Sequence, residues 1–208
     1  MRATGARGGG NTLHTIRTIW LVVVVLEYSF FLDALFLTWR QKYKYHRPHA
    51  RLVLISLELN LVILWAMSKF LMGWEARLVP MPAEIALAIA GLLVTIAGAV
   101  LTDWGKLRLG KWFSVTFAVK EGHVLFTDGP FAITRHPIYT GAIITMIGSA
   151  LVWNSLLTLA LAALFAGALF FHTVYEESLF EHHFGEPYLR YQARVPRLVP
   201  FTRRRSPD

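Results

Sequence analysis

The chain has no cysteine, which excludes disulfides, thiolate nucleophiles and thiolate metal sites in one step. It is also poor in charge. Only 16% of its 208 residues are Asp, Glu, Lys or Arg, while 55% are hydrophobic and the mean hydropathy is +0.46. A disordered chain is excluded by that balance and a soluble domain disfavoured. Acidic residues are scarcer than basic ones, 13 against 21, for a net charge of +8. In so apolar a chain the excess points to loops at an anionic membrane face and away from nucleic acid. Phosphate-binding frames are missing too: Gly8-Gly9-Gly10 follows no strand, and Gly105-Lys106 lacks the glycine and hydroxyl residue of a phosphate loop. No metal box or nucleophile elbow is present, so no metal is expected.

What is abundant is long apolar sequence. Five runs stand out: Thr18 to Trp39, Leu52 to Met72, Ala83 to Leu101, Ile138 to Trp153 and Leu156 to Val174. At about 20 residues per crossing they predict an all-α membrane protein of about five transmembrane helices, with too little chain left for a Rossmann domain. Residues 1–17 read as a flexible tail, 18–101 as three spans, 102–201 as the catalytic region and 202–208 as a basic tail. Only Asn154 and Ser155 separate the last two runs, so 138–174 reads as a tight helical hairpin. The first run contains Glu27 and Asp33 and is too long for a cleaved signal. Glu27, Asp33, Glu58 and Lys69 lie in or near spans, where a charge costs at least about 2.5 kcal/mol, so each calls for a partner or a water-lined cavity.

Sixteen Lys and Arg fall in the loops on one side of this topology and five on the other. The excess puts the C-terminus and the loop from Thr102 to Pro137 in the cytoplasm. In that loop, Trp104 to Ser114 mixes aromatics with Lys106, Arg108 and Lys111, as an interfacial segment does. Asp128-Gly129-Pro130 is a turn signal for a small hairpin or a wrapped loop. Pro137 suits the first turn of the fourth span, leaving neighbouring N–H groups open to a ligand. After the fifth span, Leu179, Phe180, Phe184, Tyr188 and Tyr191 are interrupted at Gly185 and Pro187, which predicts two short cytoplasmic helices. The hairpin brings Glu176 to the membrane face that holds His136. Loop amides, a histidine, aromatic rings and a carboxylate together suit an amphiphile carrying a cation, an adenine or sugar hydroxyls.

Arg135-His136-Pro137-x-Tyr139-x-Gly141 is followed about forty residues later by Glu176-Glu177, Phe184-Gly185, Tyr188, Tyr191 and Val195-Pro196. In that order, around a helical hairpin, these residues resemble the isoprenylcysteine carboxyl methyltransferase family over Lys111 to Phe201. The resemblance implies an integral membrane methyltransferase that uses S-adenosylmethionine, releases S-adenosylhomocysteine and takes a lipophilic acceptor from the bilayer. It implies that His123, Val124, Leu125 and Phe126 line the cofactor, that Phe131 packs against it, and that His136, Pro137, Ile138 and Tyr139 complete the cradle. Glu176 would accept hydrogen bonds from the cofactor. Arg135 and Arg194 would stand at the active site, and His172 replaces an arginine that contacts substrate in eukaryotic members. That departure leaves the acceptor open among a prenylcysteine carboxylate and another lipid carboxylate, amine or thiol. Two other classes stay in view. Membrane reductases of the sterol reductase type share the Arg-His-Pro element but use NADPH and usually carry Asn and Glu where this chain has Ile138 and Ala142. A non-enzymatic transporter or assembly protein would use the motifs only to organise helix ends, although no internal repeat is visible. Membrane lipids are the other expected partners, and no oligomeric state follows.

Overall fold

The computed structural model describes residues 4–39, 43–46, 77–78, 80, 83–113, 118–120 and 122–200, with side chains at 9–27, 77–78, 80, 83–113 and 122–200. In chain order these form α1 (Thr4–Trp39), β1 (Tyr43–His46), α2 (Glu84–Leu109), β2 (Ala118–Lys120), α3 (Pro137–Val152), α4 (Leu156–Phe184) and α5 (Glu186–Arg194), with 3₁₀ turns at Gly110–Trp112 and Gly129–Ala132. The protein is an all-α membrane protein but for one short antiparallel pair, β1 with β2. Among the described residues three stretches are long and apolar enough to cross a membrane: Gly9–Glu27, Glu84–Trp112 and Leu156–Phe184, with Pro137–Val152 apolar but shorter. The run Leu52 to Met72, with Glu58 and Lys69, lies outside the described residues, as does the side chain of Asp33.

Small residues decide how these helices pack. On α2, Gly91, Thr95, Gly98, Thr102 and Gly105 recur at spacings of four and three and so share one face. That face meets Gly141, Thr145 and Gly148 of α3 so closely that the backbones touch. A Cβ on Gly98 would stand 2.6 Å from the Thr145 nitrogen and 2.7 Å from the Gly141 carbonyl oxygen, and one on Gly148 would stand 2.5 Å from the Thr95 nitrogen. Lipid tails are as apolar as leucine, so helices in a bilayer gain more from such close van der Waals contact than from burying large side chains. Large apolar residues accordingly face outward, among them Leu93, Val100, Leu164 and Phe171.

Helix α1 lies against this pair. Ile16 and Trp20 pack on Ala88 and Val152, the Trp20 indole N–H donates to Ser149 Oγ at 2.9 Å, and Arg17 pairs with Glu84 at 2.9 Å. These contacts explain why residues expected to be a tail are helical from Thr4: packing outweighs the weak helix propensity of the glycines. Further along, Glu27 has its required partner, because Lys106 Nζ, itself buried, approaches it at 3.0 Å and Asp103 at 3.2 Å.

Two local expectations change and one open alternative is decided. The interfacial segment Trp104 to Ser114 is not separate: α2 continues through Leu109 and stops where Gly110 takes φ 49°. Around Asp128-Gly129-Pro130 no hairpin forms; the chain wraps in a 3₁₀ turn, and β2 pairs with the distant β1 instead. In place of two short helices after the fifth run, α4 runs unbroken to Phe184 and only α5 is separate. The break falls at Gly185, whose φ of 60° suits a residue without Cβ. At the other end of α4, Ser155 caps the helix by accepting from the Thr158 amide at 3.2 Å, and Asn154 turns the chain at φ 49°.

Replacing Gly98 with alanine forces its Cβ against the α3 backbone. Gly98→Ala is expected to lower stability by about 1–3 kcal/mol, read as a lower thermal unfolding midpoint in detergent. Alanine at Gly167, where nothing stands within 4 Å, is the control and should leave the midpoint unchanged.

Candidate active site between α3 and α4

The α3–α4 hairpin places His136, at the start of α3, beside the far end of α4, where Glu176 and Glu177 succeed each other. Adjacent positions on a helix point roughly 100° apart, so the two carboxylates enter different surroundings. Glu177 turns inward, its side chain 2% exposed. Arg135 donates to it from Nε at 2.8 Å and from Nη2 at 3.1 Å. Arg197 donates from Nη2 at 2.7 Å and Nε at 3.1 Å, Gln192 from Nε2 at 3.1 Å, and His136 Nε2 lies 3.0 Å from Oε1. The remaining Arg135 nitrogen donates to the carbonyls of Gln192 and Val195.

Behind this cluster the segment after α5 lies across the start of α3. The amides of Arg135 and His136 donate to the carbonyls of Pro196 and Arg197, and the hydroxyls of Thr134 and Thr140 donate to those of Arg197 and Leu198. Those two amides therefore belong to the chain itself. Tyr191 ties in the 3₁₀ turn by donating from its hydroxyl to the Phe131 carbonyl at 2.7 Å. Burial raises the pKa of Tyr191 and of Tyr188, so both phenols stay protonated.

Glu176 faces the other way. Its Oε2 is buried with no hydrogen bond from the chain; the nearest charge is His136 Nδ1 at 3.5 Å. The His136 ring stacks on Tyr139 at 5.6 Å between centroids, and the Tyr139 hydroxyl lies 3.0 Å from Nε2 of His172. Burial works against a charge on His136, but the neighbouring carboxylates of Glu176 and Glu177 outweigh it and raise the pKa above the usual histidine value. The two carboxylates thus favour the charged form of the imidazole between them.

His136, Tyr139, His172 and Glu176 are brought together, with Pro137 buried and Ile138 half-buried beside them. Phe131 is buried in the 3₁₀ turn, its ring 6.2 Å from Phe126. His123 packs on Trp112, Phe180 and Phe184, the last two lying one and two turns beyond Glu176 on α4. Leu125 is half-buried and Val124 exposed. Two arginines need correction. Arg135, expected at the active site, is a buried strut beside it whose donors all end on the chain. Arg194 is exposed on α5 and bonded to the Arg190 carbonyl, because Pro196 lets the chain turn back only after it, and Arg197 enters the cluster instead. Sequence reasoning missed Gln192 and Arg197, whose nearness to the Tyr-x-x-Tyr and Val-Pro elements was the sole signal, and it quoted Glu177 in the motif without giving it a role.

Removing the Glu177 carboxylate leaves Arg135 buried without its counter-charge. Glu177→Ala is expected to cost about 3–5 kcal/mol in chemical unfolding, whereas Glu176→Ala costs much less. Because folding raises the His136 pKa, its stabilisation is complete below the unfolded value of about 6.5 and is lost as pH rises through the folded one. The unfolding midpoint should fall over that rise in pH, and His136→Gln should flatten the decline.

The phospholipid methyltransferase family model matches residues 86–187. Protein-S-isoprenylcysteine O-methyltransferase B of Arabidopsis thaliana is 32% identical over 114 residues, covering 53% of this chain and 58% of that protein. The Xenopus laevis protein-S-isoprenylcysteine O-methyltransferase is 31% identical over 150 residues, 70% of this chain and 51% of the relative. The chain thus spans about half the length of the curated relatives it matches. A solved eukaryotic intramembrane Ras methyltransferase, isoprenylcysteine carboxyl methyltransferase, is similar with a TM-score of 0.61 and 27% identity, over 91% of this chain and 68% of that one. The same residues that carry the sequence resemblance meet at one end of the α3–α4 hairpin, and relatives and solved neighbour agree: the chain is similar to isoprenylcysteine carboxyl methyltransferases.

Proposed function

We infer that the protein is a membrane methyltransferase that binds S-adenosylmethionine at the Glu176 face of the hairpin and methylates a lipophilic acceptor arriving from the bilayer. The observation that carries this reading is the buried, unbonded Oε2 of Glu176. A buried acceptor atom without a donor is costly, and the ammonium and ribose hydroxyls of the methyl donor are groups that would satisfy it. The residues present fit that group. Glu176 would accept its hydrogen bonds, with His136, Pro137, Ile138 and Tyr139 as one wall and His123, Val124, Leu125, Phe126 and Phe131 as the other. Aromatic faces among them suit a sulfonium cation.

When bound, the cofactor supplies a methyl group already activated on sulfur, so the chain needs chiefly to orient and to exclude water. Correct alignment alone is worth roughly 7–11 kcal/mol. The Glu177 cluster keeps His136 in place, and His136 in turn keeps the carboxylate of Glu176 ionised. The bias of Lys and Arg between loops supports a cytoplasmic orientation for this face.

S-adenosylhomocysteine at 100 times its Kd should stabilise the purified protein by about 2.7 kcal/mol, seen as a raised unfolding midpoint. Glu176→Gln should lose most of that gain. A midpoint raised by NADPH and indifferent to S-adenosylhomocysteine would instead indicate a reductase.

A further inference from the structure

Resting on that methyl-transfer reading, we propose that Arg108 and Asp128 clasp the aromatic wall of the site to α2 and so set the affinity for the cofactor, with Arg108 a positioning residue that acts through Phe126. Arg108 stands near the end of α2, one turn after Trp104, so both side chains share one face of the helix. The turn that opens at Asp128 is seated on that face: a Cβ on Gly129 would stand 3.8 Å from Arg108 Cδ and 3.8 Å from the Trp104 ring. Arg108 Nη2 donates to both oxygens of Asp128, at 2.7 and 2.6 Å, and its guanidinium lies over the Phe126 ring at 4.8 Å. One side chain on α2 therefore holds both a carboxylate and an aromatic ring of the loop.

The chain around the pair shows why a clasp is needed. Residues 123–127 form neither helix nor strand, and Val124 is exposed. Past the turn the wall is tied from the other side, where the Tyr191 hydroxyl holds the Phe131 carbonyl and the Thr134 hydroxyl holds that of Arg197. Tyr191 thus fixes Phe131, and Arg108 fixes Phe126, whose ring lies 6.2 Å from that of Phe131. A wall assembled before the ligand arrives spares the ordering of loop and side chains on binding, and that saving appears as affinity. Arg108 and Asp128 are both more than a third exposed, and an exposed ion pair adds little to global stability. They also stand apart from the Glu177 cluster, which is filled by Arg135, His136, Gln192 and Arg197. Loss of the clasp therefore weakens ligand binding and leaves the unfolding midpoint of the free protein in place.

The test measures the Kd of S-adenosylhomocysteine by calorimetry on the full chain in detergent. Asp128→Asn keeps the shape of the side chain but removes its charge, and should raise Kd about two- to fivefold. Arg108→Gln also loses the contact with Phe126 and should raise it about tenfold. Because the two side chains act as one unit, the double variant should bind no more weakly than Arg108→Gln alone. Asp128→Glu, which retains the carboxylate, should recover most of the parent affinity. Salt at about 1 M should weaken binding by the parent protein and leave that of Asp128→Asn unchanged. A Kd for Asp128→Asn equal to the parent value, effects that multiply in the double variant, or a midpoint lowered in the ligand-free single variants overturns the clasp while the methyl-transfer reading stands. A parent protein that does not bind S-adenosylhomocysteine overturns that reading, and the clasp with it.

Discussion

The buried carboxylate of Glu177 gathers four residues from three places in the chain: Arg135 and His136 before α3, Gln192 on α5, and Arg197 beyond it. A charge so enclosed is tolerable only when its lone pairs are filled, and here each oxygen accepts at least two hydrogen bonds. The arrangement leaves little freedom. If α5 shifted, Arg135 would lose two carbonyl acceptors; if the segment after it lifted, the amides of Arg135 and His136 would lose theirs. The reactive face is thus built outward from a structural ion cluster, and its geometry is inherited from Glu177.

The membrane helices supply the frame. Backbone contact between α2 and α3 through Gly91, Gly98, Gly141 and Gly148 fixes the rotation of α3 about its axis, because these glycines line only one face. That rotation turns Tyr139 toward α4 and His172. The three residues from Trp153 to Ser155 then hold α4 antiparallel to α3, so that a helix of 29 residues returns Glu176 to the level of His136. The arrangement sets polar groups at the end of an apolar hairpin, where the proposed cofactor and acceptor would meet.

Charges within the site are segregated. His136 lies between Glu176 and Glu177, whose carboxylates raise its pKa against the opposing effect of burial. His172, on the other side of Tyr139, is joined to its phenol. Two histidines of the same intrinsic basicity therefore sit in different surroundings, set by their neighbours.

Much of this protein was legible in its sequence. The apolar runs fixed their own helices, since a segment in hydrocarbon must satisfy its backbone hydrogen bonds internally. Asn154-Ser155 and Gly185 marked their turns because each backbone conformation favours those residue types, and the Arg-His-Pro and Glu-Glu elements marked the site. Tertiary structure alone decided which glutamate is buried, since neighbours on a helix differ only in the direction they face. It likewise chose Arg197 over Arg194, because the chain turns back after α5, and made the N-terminal stretch helical, because Arg17 and Trp20 find partners far along the chain. Local pattern specifies where a helix begins and how apolar it is; what its polar residues meet depends on the rotation and register of helices distant in sequence, which only packing sets.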